Sequence, residues 1–423
     1  MTISWWSVAW KSLQNRKLAT ALTVLSMTLS LVLLMAVERI QRAAYDGFTQ
    51  TVSGVDLVVG ARSGPLQLIL YSVFNMGQAT QNVSIESYNQ IKSRPDVDWT
   101  IPYSLGDGHR GFRVVATNTD FFTHYQFRSK EKIKFSSGQP FKDYFDVVIG
   151  ADVAKTLGYQ LGSNVVVAHG STTGDAIQKH DNMPFHVTGI MKPTGTPLDR
   201  ALYISLEAME AIHLDWQSGS APAIGRETAI NQITPEMVKP KTITSFFLRT
   251  KNRIETLRLQ RFINEYQQEP LLAAIPGVVL SELWQTLSAV EQILKGISFL
   301  VMAVGLMSML IALMTSLNER RREMSILRAL GASLKHVLGL IMLETFILSA
   351  LAIAAACILK VLMEWIFGPW IQSNYGLYLQ DPKFSITEIV YMLIMLLSAL
   401  VISFIPALSA MKSALKDGLS LKV

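Results

Sequence analysis

Four long apolar runs constrain this chain more than any other feature of its sequence. They extend from Leu18 to Val37, from Gly296 to Leu317, from about His336 to Leu359, and from Ile386 to about Met411. A helix rises 1.5 Å per residue, so about 20 residues cross the roughly 30 Å hydrocarbon core of a bilayer. Each run is long enough to span a membrane, and the sequence therefore predicts four transmembrane helices.

The composition agrees with a membrane protein and argues against an ordinary soluble domain and against a nucleic-acid-binding protein. Half of the residues are hydrophobic and only 17% are charged, whereas an ordinary soluble domain carries about 25% charged residues. The net charge is +6, but the cations cluster beside the apolar runs, so nucleic acid is not a predicted partner. The single cysteine, Cys357, excludes an intramolecular disulfide and is most simply a small buried hydrophobic residue.

Lysine and arginine gather at three places next to the apolar runs. They precede the first run, fill the connection between the second and third, and follow the fourth: Lys11, Arg16, Lys17; Arg320, Arg321, Arg322, Arg328, Lys335; Lys412, Lys416, Lys422. The positive-inside rule assigns all three groups to the cytoplasm. The sequence thus predicts a multi-pass protein of the bacterial inner membrane with cytoplasmic N- and C-termini, the latter on a tail at 412–423.

The same rule fixes the predicted domain boundaries. A cytoplasmic amphipathic helix at 1–17 precedes the first span at 18–37. An external domain follows at 38–295, then the span at 296–317, a cytoplasmic loop at 318–335, the span at 336–359, a short external loop at 360–385 and the span at 386–411. A cleaved signal peptide is the alternative for the first run. That run exceeds the usual apolar length of about 7–15 residues, and no small-residue cleavage site follows it.

The external domain is predicted to be folded and of the α+β class. Short runs rich in β-branched residues, bounded by Gly and Asp, predict strands; they are Val55–Val59, Phe112–Ala116, Val147–Ile149, Asn164–Ala168 and Phe185–Ile190. Helical periodicity is found at Asp152–Leu157 and Ile254–Tyr266. Residues 217–240 predict a long irregular loop, and residues 130–240 suggest an outer lobe of the domain.

The cytoplasmic loop carries the most specific pattern, NERRREMSILRALGAS, from Asn318 to Ser333. Apolar residues recur in it at helical spacing: Met324, Leu327, Leu330 and Leu334. Gly331 suits a helix C-terminus, and Ser333 can begin the next helix. The pattern predicts a short amphipathic helix at the membrane surface. Spacing alone leaves open whether its arginines contact lipid phosphates or whether the helix docks onto a protein.

This loop resembles the signature loop of the FtsX-like, MacB-type permease family of ABC transporters. The similarity extends to DVVIGADVAKTLGYQLGSNVVVA (Asp146–Ala168), FHVTGIMKPTGTPLDRALYIS (Phe185–Ser205), the amphipathic opening at Ile3–Leu13, and the tail IPALSAMKSALKDGLSLKV. The resemblance implies a MacB-like periplasmic domain inserted between the first two spans. It also implies that the loop is a coupling helix contacting an ATPase through Glu319, Arg320, Arg322, Glu323, Leu327, Arg328, Ala329 and Gly331.

The resemblance further implies the partners. No Gly-x-x-x-x-Gly-Lys-Ser/Thr motif occurs in the sequence, and DLVVGARSGP (Asp56–Pro65) is interpreted as a turn beside a strand. The chain is therefore expected not to be an enzyme and to bind no cofactor directly, with ATP and Mg²⁺ on a separate cytoplasmic ATPase, as in LolC-like members. Two ATPase copies and a second permease copy, identical or a paralogue, are expected, together with membrane lipids and a periplasmic or outer-membrane partner.

Other ionisable residues give weaker signals. Glu344 interrupts the third run, and a charge inside a span is costly and often functional; a structural pairing and a role in coupling both remain open. Six of the seven histidines are in the external domain, without the tight spacings typical of metal sites. The sequence therefore predicts no metal ligands, and a metal substrate remains a minor alternative.

Two functions fit these observations. In the first, the chain couples ATP hydrolysis to export or extraction of a lipoprotein, peptide, lipid or drug-like substrate, because the spans offer no evident polar channel. In the second, it is an FtsX-like transmembrane regulator that switches a periplasmic partner and transports nothing. A receptor without any ATPase is a third and weaker hypothesis.

Overall fold

The computed structural model describes residues 5–49, 51–128, 130–169, 180, 183–216, 228, 230–319, 333–375, 379 and 384–417. The chain divides into two compact units. The membrane unit comprises Met1–Ala43, Leu287–Trp370 and Leu379–Val423. The inserted domain comprises Ala44–Thr286, together with Ile371–Tyr378.

The helices and strands are numbered in chain order. The helices are α1 (Trp5–Asn15), α2 (Lys17–Thr49), α3 (Pro65–Phe74), α4 (Ile85–Lys92), α5 (Asp120–His124), α6 (Ala151–Leu157), α7 (Leu206–His213), α8 (Arg253–Asn264), α9 (Pro276–Glu319), α10 (Leu334–Tyr375) and α11 (Ile386–Asp417). The strands are β1 (Leu57–Ala61), β2 (Val83–Ser84), β3 (Val97–His109), β4 (Phe112–Thr117), β5 (Gln126–Phe127), β6 (Glu131–Lys132), β7 (Phe135–Gly138), β8 (Asp146–Ile149), β9 (Asn164–Val165), β10 (Ala168–His169), β11 (Phe185–Met191), β12 (Ala201–Ser205), β13 (Thr242–Ile243), β14 (Ser245–Thr250) and β15 (Leu271–Ala274). Short 3₁₀ turns occupy Pro197–Arg200, Leu214–Trp216 and Ile230–Gln232.

Among the described residues, four helices are long and apolar enough to cross a membrane, namely α2, α9, α10 and α11. The inserted domain lies between the first and second of them in sequence, as predicted. The helices are longer than the apolar runs. In particular, α10 continues to Tyr375, whereas the sequence placed the end of the third span at Leu359 and a loop at 360–385. That boundary was set by the first charge, Lys360, which the structure buries inside the membrane unit.

Small residues bring the spans close together in the membrane unit. A Cβ added to Gly305 of α9 would lie 2.7 Å from the Ser30 hydroxyl of α2. That hydroxyl donates a hydrogen bond to the Val301 carbonyl at 3.1 Å, and Thr28 of α2 donates to the Ala352 carbonyl of α10 at 3.2 Å. Such contacts replace the hydrophobic driving force that lipid does not supply between helices. Gly339 of α10, in contrast, has no atom near its added Cβ.

One large sheet organises the inserted domain. Its strand order is β15-β1-β14-β3-β4-β12-β8-β11-β7, with β10 also pairing β3 and β9 pairing β11. Most pairs are antiparallel, but β4–β12 and β8–β11 are parallel. The strands β7, β8, β9, β11 and β12 lie together at one end and join the others through β4–β12, whereas β10 pairs with β3. The inserted domain forms one compact unit, and the outer lobe at 130–240 stays a prediction.

Both faces of this sheet are covered. Successive residues of β4 alternate between two cores, Val114 and Ala116 facing one and Val115 the other. Helices α4, α6, α7 and α8 supply the first core, and α3, α5 and the start of α9 supply the second. Strands buried on both faces are apolar throughout rather than alternating, which explains the sequence LVVGA of β1.

Helix α8 also covers one edge of the sheet. The Asn264 side-chain oxygen accepts a hydrogen bond from the Ala273 backbone N–H at 2.7 Å, and the Gln260 side chain donates to the Ala273 carbonyl at 3.1 Å. Ala273 belongs to the edge strand β15, so two of its backbone groups are satisfied by side chains where a further strand would pair.

A buried carboxylate fixes the turn that leads into β12. Asp199 accepts hydrogen bonds from the backbone N–H groups of Thr194 and Gly195 at 2.9 Å and from the Thr194 hydroxyl. Its own carbonyl oxygen lies 2.3 Å from the position of a Cβ on Gly150. The glycine that ends β8 is therefore required by the close approach of this turn.

Candidate functional site

The predicted coupling helix lies outside the described residues. This applies to Arg320, Arg322, Glu323, Leu327, Arg328, Ala329 and Gly331. Glu319 is the last residue of α9, and α10 begins at Leu334. The loop therefore connects the ends of two apolar helices. Where the loop meets α10, the Ser333 hydroxyl lies 2.7 Å from His336 Nδ1. This nitrogen also accepts a hydrogen bond from the Ser333 backbone N–H at 3.1 Å.

The basic corner between α1 and α2 contacts the helix that precedes this loop. Arg16 donates a hydrogen bond to the Ser316 carbonyl, in the last turn of α9, at 3.0 Å. The corner itself is held by Thr20, whose hydroxyl donates to the Leu13 carbonyl at 3.0 Å. The N-terminal helix and the start of the coupling loop thus lie at the same end of the membrane unit.

Glu344 lies in α10 and is buried among the spans. The neighbouring Thr345 is also buried, and its hydroxyl donates to the Ile341 carbonyl of the preceding turn at 2.9 Å. Burial alone does not separate the two roles that the sequence allows for Glu344, a structural pairing and a part in coupling.

A cluster of charged side chains, here called the ion cluster, joins all four spans at the other end of the membrane unit. Arg39 of α2 pairs with Glu364 of α10 at 3.1 Å, and Lys360 of α10 pairs with Glu388 of α11 at 3.1 Å. Further contacts within the cluster are Lys360–Glu364 at 3.7 Å, Lys295–Glu38 at 3.9 Å and Arg42–Glu38 at 2.8 Å. Unpaired charges in a span are energetically unfavourable, and the pairs of this cluster avoid that cost. The sequence analysis missed the cluster.

Glu388 has two roles in this cluster. Its carboxylate accepts from the Ser385 backbone N–H at 2.8 Å, while its own backbone N–H donates to the Ser385 hydroxyl at 3.1 Å. These reciprocal bonds form a capping box, which satisfies two free donors at the start of α11. The Ser-x-x-Glu spacing is visible in the sequence and could have identified this helix start. The pairing with Lys360, 28 residues away, could not be read from it.

A second group of ionisable residues meets inside the inserted domain. His180 Nε2 and His213 Nε2 lie 3.7 Å and 3.5 Å from Asp107 Oδ2. Asp107 is near the end of β3, His213 is the last residue of α7, and both Asp107 and His180 are buried. The sequence analysis expected scattered histidines, because these three residues are far apart along the chain.

The histidines of this region differ in their surroundings. Burial lowers the pKa of His109, partly opposed by the hydrogen bond between its ring and the Val166 carbonyl. Burial also lowers the pKa of His213, but the carboxylate of Asp107, 3.5 Å from its Nε2, outweighs burial, so the pKa lies above its usual value. His109 has both ring nitrogens bonded, to the Val166 carbonyl at 2.6 Å and to the Tyr159 hydroxyl at 2.8 Å.

Four apolar helices, an α+β domain inserted after the first, and a basic loop between the second and third define a multi-pass membrane permease. Residues 20–234 match the family model of the MacB-like periplasmic core domain, and residues 295–415 match that of the FtsX-like permease C-terminal region. The first of these matches covers half of the chain. The chain therefore belongs to the FtsX-like, MacB-type family of ABC transporter permeases.

Solved structures give weaker similarities. The periplasmic region of MacB from Actinobacillus actinomycetemcomitans is 11% identical, with 55% of this chain and 94% of that chain covered and a TM-score of 0.35. The extracellular domain of the noncanonical ABC-type transporter YknZ from Gram-positive bacteria is 13% identical, with 52% and 98% covered and a TM-score of 0.30. No curated protein matches the chain. The assignment rests on the two family models.

Family membership establishes the broad function. The chain is a permease component of an ABC transporter and a multi-pass protein of the inner membrane, and the ATPase of such a transporter is a separate subunit. The predictions of fold class and family are thereby confirmed.

Proposed function

We propose that this chain couples ATP hydrolysis by two copies of a separate ATPase to conformational work in its periplasmic domain. The work would export or extract a lipoprotein, peptide, lipid or drug-like substrate by mechanotransmission. The chain would act beside a second permease copy, with both termini in the cytoplasm. ATP and Mg²⁺ would be bound by the ATPase alone.

The observation that carries this proposal is the extent of α9. Near its start, α9 supplies Val279 and Leu280 to a core of the inserted domain. Further along, it supplies Met302, Leu306 and Met309 to the core of the membrane unit. It ends at Glu319, where the candidate coupling loop begins. A displacement of the loop by an ATPase would act directly on a helix that is packed into both units.

The first span also takes part. Tyr45, near the end of α2, packs against Trp284 of α9, with ring centroids 5.2 Å apart. At the loop end, Arg16 holds the start of α2 to the Ser316 carbonyl of α9. The two helices that lead into the inserted domain are thus joined near both of their ends, which favours movement as a pair.

The ion cluster supplies an element that can change its pairing. Lys360 lies between Glu388 at 3.1 Å and Glu364 at 3.7 Å, and Glu364 is shared with Arg39. Shared partners allow ion pairs to be exchanged during small helix movements, as in known switching transitions in which interface salt bridges are repacked. We propose that the cluster has one arrangement for each of two states of the spans.

The test is co-purification of the ATPase with the tagged full-length chain from native membranes. The variants are Leu327→Asp and Arg328→Glu in the loop. The matched controls are Leu257→Asp and Arg258→Glu on the exposed face of α8, where Leu257 is 63% exposed. Loss of an interface hot-spot residue costs about 2 kcal/mol or more, or roughly a 30-fold loss of affinity.

We expect a P-loop ATPase to co-purify with the wild type and with both controls and to be lost from the loop variants. Equal recovery from all variants, or no ATPase with the wild type in mild detergent, would contradict the proposal. Periplasmic proteins recovered with the complex then separate the alternatives. A hydrolase whose activity depends on the ATPase would favour the regulator, and a cargo released on ATP hydrolysis would favour export.

A further inference from the structure

We propose that Asp107, His180 and His213 form a binding site for one Zn²⁺ ion, or a similar borderline divalent metal, in the inserted domain. Their ligand atoms, a carboxylate oxygen and two imidazole nitrogens, all lie within 4.8 Å of one another. Two histidines and a carboxylate are an established ligand set for zinc, with a fourth position left for water or an outside donor.

The distances fit ligands around an ion better than direct hydrogen bonds. Both Nε2 atoms approach the same oxygen, Asp107 Oδ2, at 3.5 Å and 3.7 Å. Hydrogen bonds from nitrogen to oxygen are usually about 2.7–3.2 Å long. Ligands of tetrahedral zinc, at about 2.0–2.1 Å from the metal, lie about 3.3 Å from one another. The two histidine–aspartate distances are thus within about 0.4 Å of this spacing, and the third pair of ligand atoms lies within 4.8 Å.

The hydrogen bond on the other side of the His213 ring sets its tautomer. His213 Nδ1 lies 2.7 Å from the Met209 carbonyl oxygen, which can only accept, so Nδ1 carries the proton. In the neutral ring, Nε2 then presents a lone pair toward Asp107 and His180. Metal-bound histidines characteristically donate their other N–H to a carbonyl or carboxylate, which orients the ring for coordination.

The backbone also positions His180. Its N–H donates to the Val167 carbonyl at 2.9 Å, and its own carbonyl accepts from the Met183 N–H at 3.1 Å. The His180 ring packs edge-on against the His213 ring, with centroids 5.4 Å apart. Three parts of the chain thus meet around one point, because β3 provides Asp107, α7 provides His213, and His180 is held to the Val167 carbonyl.

The nearby His109 lies outside the proposed metal site. Both of its nitrogens have ordinary hydrogen-bond partners, the Val166 carbonyl and the Tyr159 hydroxyl. The proposed site is also accessible, since the His213 side chain is 33% exposed whereas those of Asp107 and His180 are buried. An ion would enter past His213 and would connect β3, α7 and the His180 segment.

The test is metal binding by the full-length chain, purified in detergent and treated with a chelator. Zn²⁺ is titrated in competition with a chromophoric chelator, and Co²⁺ absorption reports the ligand geometry. We expect one Zn²⁺ per chain, a tetrahedral Co²⁺ spectrum, and at least about a 100-fold loss of affinity in His180→Gln and His213→Gln, since even outer-sphere partners of metal ligands are worth 10–100-fold.

His186→Gln is the matched control, because His186 is exposed and its ring nitrogen Nδ1 lies 2.8 Å from the side-chain oxygen of Asn164. It should bind Zn²⁺ like the wild type. Thermal unfolding without metal shows whether each variant is folded. The wild-type Co²⁺ spectrum still tests the proposal if a variant does not fold. No stoichiometric Zn²⁺ on the wild type, an octahedral Co²⁺ spectrum, or undiminished binding by folded His180→Gln and His213→Gln would overturn the proposal. None of these results depends on the ATPase.

Discussion

Removing the charge of Lys360 is the most direct test of the ion cluster. Lys360→Met keeps the length of the side chain and leaves Glu388 buried, without the ammonium group that lies 3.1 Å away. Loss of one member of a buried ion pair costs about 3–5 kcal/mol. Glu388→Gln should cost less, about 2–3 kcal/mol, because Lys360 keeps Glu364 at 3.7 Å. Gln also preserves the capping box with Ser385.

The double variant gives the sharper result. Lys360→Met combined with Glu388→Gln replaces the ion pair by neutral groups of similar volume, a change that is often close to neutral. We therefore expect the double variant to cost less than the sum of the two single variants, with a coupling energy of about 3 kcal/mol, the upper end of the range for residues in contact. If the destabilisation of the double variant equalled the sum of those of the two single variants, the two charges would not be paired.

The assay is equilibrium unfolding of the full-length chain in mixed detergent micelles, followed by tryptophan fluorescence. Lys295→Met is the matched control from the exposed side of the same cluster, because the Lys295 side chain is 34% exposed and pairs with Glu291 one helical turn away and with Glu38 at 3.9 Å. Exposed ion pairs contribute about 0–1 kcal/mol. A cost of Lys360→Met no larger than that of Lys295→Met would refute the reasoning.

Two further pairs of variants test close packing and the buried carboxylate. Gly305→Ala should destabilise the chain by about 1–3 kcal/mol in the same unfolding assay, because its Cβ would overlap the serine hydroxyl on α2. Gly339→Ala has open space and should be neutral or stabilising by up to about 1 kcal/mol. Asp199→Asn should lower the melting temperature of the inserted domain by about 3–10 °C, since its amide cannot accept from all the N–H groups that the carboxylate serves. Asp146→Asn, whose similar bonds are exposed, should lower it by less.

Local patterns were sufficient for much of the fold. The apolar runs predicted the four spans, and the β-rich run at Phe185–Ile190 corresponds to β11. The strand β3 was missed because Pro102 and two glycines interrupt its pattern. Pro102 is tolerated there because the ladder with β4 begins one residue later, at Tyr103. A proline at such a position removes no ladder hydrogen bond on that side.

The charged groups were less predictable, because their meaning depends on distant partners. Lys360 was interpreted as the end of a span, since a lone lysine in lipid is unfavourable; only the fold shows Glu388 and Glu364 beside it. The same is true of Asp107, His180 and His213, which three different segments bring together. The coupling-helix residues stay a prediction from the loop sequence.

The side chains of α8 that cover β15 have a consequence for association with other chains. Exposed sheet edges are templates on which foreign strands can assemble, and proteins often block them. With Gln260 and Asn264 bonded to the backbone of Ala273, that end of the large sheet is closed to such growth. Within the described residues, the opposite end is the short strand β7, Phe135–Gly138. At the β15 edge, the backbone groups of Ala273 are therefore not available to a foreign strand.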